Sequence, residues 1–173
     1  MPTCPRCALV AFALAVAAFA AGCDSTDPGS DLEAVDGTYE IVELRFDPAT
    51  AGLPEADVLA RLADGSAEVE IAGDGTSLVR YAFIGQTRQL VLADASATSR
   101  SVTIAARSDA DADKLDAILL PETVTFARAE NDATRLSATL LLEGVDLEAF
   151  DPAIYQDQID NRGTMTVALR LVR

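Results

Sequence analysis

From residue 36 onward the apolar positions recur mostly at every second residue. They fall in short runs separated by polar and glycine-rich breaks, the pattern of half-buried strands. In Gly37–Phe46, Tyr39 and Ile41 share one parity and Val42, Leu44 and Phe46 the other, so a β-bulge near Ile41-Val42 is needed to turn both sets inward. Asp47-Pro48 ends this strand. Pro54 then opens a short amphipathic helix with Val58, Leu59 and Leu62 on one stripe and Gly65 beyond its end. Val69 and Ile71 alternate with Glu68 and Glu70, and Gly73-Asp74-Gly75 turns the chain. Val79, Tyr81 and Phe83 share a face in Ser77–Ile84, and Leu90 and Leu92 share one in Arg88–Leu92. Val102, Ile104 and Ala106 do so in Ser101–Arg107.

Asp109–Leu120 suits two elements. Leu115, Ile118 and Leu119 fit a helical face, whereas Ala117–Leu120 also fits the start of the next strand before Pro121. Val124 and Phe126 mark one further strand, and Leu136, Ala138, Leu140 and Leu142 another. Gly144–Asp160, broken by Pro152, reads as a long loop with one or two helical turns covering a rim. Met165, Val167, Leu169 and Leu171 share a face of the closing strand, Thr164–Val172. The fold class is therefore all-β: an antiparallel barrel of about eight strands with one or two short helices, a strand number at which a sheet closes and loses its edges.

The first residues follow a different rule. Arg6 is the only charged side chain before Cys23, and Ala8–Ala21 holds neither a charge nor a strongly polar group. That stretch suits the apolar helix of a signal peptide and is too short to span a bilayer. Ala20-Ala21-Gly22-Cys23 resembles the lipobox of bacterial lipoproteins, in which the cysteine is lipid-modified and becomes the new N-terminus. The resemblance implies a leader over 1–22, a lipid attached at Cys23, and a domain held outside the cytoplasm at a membrane of the bacterial envelope. Asp24–Asp31 has no apolar residue, so 23–35 reads as an acidic, flexible tether and 36–173 as the folded domain.

Composition narrows the chemistry. There are 28 acidic against 13 basic residues, a net charge of −15, and loss of the leader with Arg6 makes the processed chain one unit more negative. Such a surface repels nucleic-acid phosphates, so no nucleic-acid partner is expected. The excess of Asp over a single lysine, Lys114, fits either saline surroundings or a GC-rich genome. Cys4-Pro5-Arg6-Cys7 has C-x-x-C spacing but lies in the leader, and Cys23 is the only cysteine after it, so the domain has no internal disulfide.

Histidine is absent, which removes the commonest general base and transition-metal ligand. No serine sits in a Gly-x-Ser-x-Gly elbow, and no glycine loop opens a helix to cradle phosphate. Asp109, Asp111 and Asp113 have the spacing that begins a calcium loop, but Lys114 and Leu120 stand where that loop needs Gly and Glu. Glu143, Asp146, Glu148 and Asp151 cluster without the cross-cleft geometry that a carboxylate pair requires. No enzyme activity, cofactor or metal is expected.

Gly37-Thr38-Tyr39 stands where lipocalins carry Gly-x-Trp at the start of their first strand. A helix-bearing connection, a meander and a closing strand with Arg170 follow. The chain from about Asp36 to Arg173 thus resembles the lipocalin-like domains of bacterial lipoproteins. The resemblance implies a small hydrophobic ligand or lipid inside the barrel; strand parity turns Val79, Tyr81, Phe83, Leu90, Val102, Ile104, Phe126, Leu140, Val167 and Leu169 toward it, with Tyr81 the one polar handle and 150–159 as a lid. The alternative is a barrel or sandwich filled by its own side chains, serving as an envelope interaction module for a protein partner the sequence does not identify.

Overall fold

The computed structural model describes residues 28–130 and 132–172. Its strands are β1 (Gly37–Pro48), β2 (Ala56–Asp57), β3 (Glu68–Ile71), β4 (Thr76–Tyr81), β5 (Gln89–Ala97), β6 (Ser101–Ala106), β7 (Thr123–Ala129), β8 (Asp132–Val145) and β9 (Asn161–Leu171). Its helices are α1 (Pro28–Glu33), α2 (Asp109–Asp116) and α3 (Leu147–Phe150), with a single 3-10 turn at Leu59–Arg61. From β3 each strand pairs antiparallel with the next through β9. Strand β1 pairs with both β3 and β9, so eight strands close into an antiparallel barrel, and β2 is a short flap on β1.

The bulge required by the parity break in β1 is present. The register against β9 shifts between Ile41 and Glu43, and Tyr39, Ile41, Leu44 and Phe46 are all buried. An extra residue at that point changes which parity faces inward without ending the strand. The two seams of β9 are the longest. Strand β9 pairs with β1 from Leu171 to Gly163 and with β8 from Arg170 to Asn161.

The two barrel ends differ. At one end lie the tight turns after β3 and β5 and the entry from α1. There Tyr39 faces inward and its hydroxyl donates to the Val35 carbonyl at 3.0 Å, while Arg170, on the outer face, pairs with Glu40 at 2.7 Å. The other end carries the four long connections, 49–67, 82–88, 107–122 and 146–160, and with them α2, α3 and the 3-10 turn.

Three sequence expectations need correction. The helix after Pro54 shrinks to the 3-10 turn, because Ala56 and Asp57 extend to pair with Phe46 and Arg45. Val58 and Leu62 are nevertheless buried as the apolar stripe required. The boundary at residue 36 lies too late: Pro28–Glu33 is helical, Leu32 packs on the core and Val35 is buried. The earlier part of the expected tether, the leader and Cys23 lie outside the described residues. The strand at Arg88–Leu92 runs on to Ala97, and its inward face is Val91, Ala93, Ala95 and Ala97. Register decides this, since Val79 stands opposite Val91 and Arg80 opposite Leu90. Leu90 is 50% exposed on the outer wall and lines no interior.

Asp109–Leu120 resolves as helix. Ser108 caps α2, its side chain accepting from the Asp111 amide. At the other end the Leu120 amide donates to the Leu115 carbonyl and the Leu119 amide to that of Asp116, the paired bonds of a Schellman motif. Leu119 therefore takes the left-handed position usually given to glycine, with φ 58°. Left-handed backbone costs a non-glycine residue about 1–2 kcal/mol, and burying a leucine side chain returns about 1.5–3 kcal/mol. Leu119 is buried, so the leucine is tolerated there.

Candidate functional site

The sequence directs attention to the barrel interior, and the long connections gather at one end around a groove. The interior receives most of the residues that the sequence assigned to it. Val79, Tyr81, Val102, Ile104, Phe126, Val167 and Leu169 are buried there, and Leu140 is half-buried against them. Of these, Val79, Ile104, Phe126, Val167 and Leu169 line a wholly apolar void of about 20 Å³, bounded also by Ile41, Val69 and Val124. Such a void is near the minimum for one water, about 10–15 Å³, while sites for drug-sized ligands run from about 300 to 1,000 Å³. Leu115 and Leu120 of the α2 region reach the same void and close it from above. The Tyr81 hydroxyl, the one polar handle expected inside, donates instead to the Lys114 carbonyl at 2.5 Å, and burial pushes its pKa up to about 12. Tyr81 is a neutral pin between β4 and α2.

Phe83 lies past the end of β4, half-buried, in a bridge with Leu62 and edge-on to Tyr81 at 5.8 Å between ring centres. It belongs to the open groove, of about 410 Å³, between the long connections. Phe83 and Gln86 come from 82–88, Asp113 and Asp116 from the last turn of α2, Leu119 from just beyond it, Asp146 from the cap of α3, Phe150 from α3, and Arg61 from the 3-10 turn. Arg61 is already engaged: its guanidinium lies 4.8 Å from the Phe150 ring centre and 3.3 Å from Asp151 Oδ2, and it donates to the Phe150 carbonyl. Asp146 caps α3 through the Ala149 amide at 2.8 Å. Asp113 and Asp116 have no ion-pair partner among the described residues.

The other carboxylates singled out by sequence have local work. Glu143 pairs with Arg162 at 2.8 Å, Glu148 accepts the Asp157 amide at 3.1 Å, and Asp151 holds Arg61. They do not face one another across a cleft. Asp111 is buried, where it accepts from Lys114 Nζ at 2.9 Å, from Ser108 Oγ at 2.7 Å and from the Leu92 amide at 3.2 Å, locking α2 to β5. Among the described residues no group of three His, Cys, Asp or Glu is placed to hold a metal ion. No helix there is long and apolar enough to cross a membrane.

These locks make stability depend on acid. The bonds from Lys114 and Ser108 hold the Asp111 carboxyl below the ordinary range, and those from Thr76 and Thr134 do the same for Asp74 and Asp132. A carboxyl depressed in the folded state stabilises above its unfolded pKa, here about 3.8, and that contribution disappears as pH falls through the folded value. Denaturant midpoints measured from pH 5 to pH 2.5 should therefore fall below about pH 4. Asp111→Asn should be less stable at pH 5 and lose less on acidification. An unchanged slope in that variant contradicts the role of the lock.

No protein-family model matches the chain, and neither any curated protein nor any solved structure matches it significantly. The closed eight-stranded barrel is compatible with the lipocalin-like fold that the sequence resembles. Sequence reasoning reached Phe83, Asp113, Asp146 and Phe150 for other reasons and missed Arg61, Gln86, Asp116 and Leu119 as groove residues. No local signal marks them, because the groove assembles only when four distant connections meet.

Proposed function

We propose that the protein is a lipid-anchored component of the bacterial envelope whose lipocalin-like barrel is a filled scaffold for a protein partner. The observation that carries this reading is the interior void of about 20 Å³, which leaves no room for an acyl chain. Lipid attachment at Cys23 rests on Ala20-Ala21-Gly22-Cys23. The fold supports a matching orientation: α1 enters at the tight-turn end, so the long connections lie at the opposite end, away from the anchor. Binding residues gather on such loops when a rigid barrel positions them. No catalysis is assigned to the chain, and its acidity disfavours nucleic acid.

The test has two arms on protein purified from its own membrane. Cys23→Ala should leave the chain soluble or unprocessed, since Cys23 is the residue that would carry the lipid anchor. Titration of the anchored protein with a fluorescent fatty acid should show no saturable signal that unlabelled fatty acid displaces. Saturable, displaceable binding returns the barrel to the role of carrier. Membrane partitioning of the Cys23→Ala variant removes the anchor.

A further inference from the structure

We infer that the groove between the long connections docks a cationic, partly apolar segment of a partner protein, an inference that rests on the interaction-module reading. Part of the groove lining is apolar: Phe83, Leu119 and Phe150 contribute to it, with Ala117 and Ala149. Its rim carries Asp113, Asp116 and Asp146, and its one cation, Arg61, is held by Asp151 and the Phe150 ring. An occupant with lysine or arginine flanked by apolar side chains complements both features. A phosphate-bearing or acidic partner would meet like charge.

The placement of the acids points the same way. Asp113 and Asp116 stand in the last turn of α2, at the negative end of the helix dipole, where a carboxylate is unfavourable. No ion pair among the described residues compensates either of them. Asp111, in the first turn of the same helix, is fully engaged, whereas the side chains of these two face the groove. Apolar exposure accompanies it. Ile84, beside Phe83, is 68% exposed. An apolar side chain left in water beside an acid-rimmed groove gives a partner segment area to cover.

The chain has no tryptophan, so a tryptophan in a peptide reports binding without background. The probe is a synthetic twelve-residue peptide of lysine and leucine with one tryptophan. It is titrated against the anchored full chain in nanodiscs of zwitterionic lipid, with empty nanodiscs as blank. A second peptide has glutamate in place of every lysine. The lysine peptide should bind saturably and the glutamate peptide should not. Asp113→Asn, Asp116→Asn and Asp146→Asn together should weaken binding about tenfold, while asparagine at 146 still caps α3. Asp31→Asn, Glu33→Gln and Glu130→Gln, at the far end, should leave affinity unchanged. Equal weakening by both sets means diffuse attraction and overturns the groove, as does binding of both peptides or of neither. The same preparation is titrated with fluorescent fatty acid. Displaceable binding there defeats the filled-barrel reading, whereas peptide failure without it defeats the groove alone.

Discussion

Gly163→Ala should be among the most damaging single substitutions in the barrel. A Cβ built on Gly163 stands 2.3 Å from the Asp47 carbonyl oxygen and 2.5 and 2.9 Å from two atoms of the Phe46 ring. Gly163 pairs across the closing seam with Pro48 on one side and Leu142 on the other, and the Ala49 amide donates to the Arg162 carbonyl at 2.8 Å. The carbonyl is thus fixed by the ladder that closes the barrel, and the ring is buried. Phe46 covers a glycine on the neighbouring strand, a known way of stabilising glycine in sheets. Overpacking usually costs about 1–3 kcal/mol and sometimes more. With backbone among the clashing atoms, about 3 kcal/mol is expected here, or a fall in melting temperature of roughly 10 °C. The variant should be compared with Phe46→Leu and with the double variant. Removing the ring should reduce the penalty of the alanine without abolishing it, because the Asp47 carbonyl remains. A loss below about 1 kcal/mol in the single variant would show that the seam yields.

How much of this was legible depended on whether a face was written in large side chains. Strands β1, β3, β6, β7, β8 and β9 announce their inward faces with Tyr, Phe, Ile, Leu, Val and Met, and even the bulge in β1 follows from a parity break. Strand β5 misleads because its inward face ends in Ala93, Ala95 and Ala97 while Leu90 and Leu92 lie outside. Period-two reasoning takes the larger residues as the buried ones, and only the pairing of Val79 with Val91 sets the phase. The entry through Val35 was hidden by the polar run before it. For the groove, sequence carries no periodic mark at all. Arg61, Phe83, Asp116 and Phe150 are far apart in the chain, and only barrel closure brings their loops to one end.

Phe126→Ala should turn the filled barrel into one with room inside. Phe126 is buried in the wall of the existing void, opposite Val102 in the ladder, with Ile104 and Val124 beside it. If the interior is packed by its own side chains, deleting the ring leaves a hole that the closed sheet cannot collapse, and the cost should be about 3–5 kcal/mol. A barrel shaped around a ligand would lose less when purified empty, because ring contacts would already be incomplete. The two cases also part on occupancy. The enlarged void is lined by aliphatic carbon with no polar group to hold water, so it should stay dry and accept a small apolar probe such as benzene. Added benzene should raise the melting temperature of Phe126→Ala and leave the parent unchanged, since a ligand stabilises only the state that binds it. A parent protein stabilised by benzene as strongly as the variant would mean that the barrel already holds usable space, and the scaffold reading would give way to the carrier.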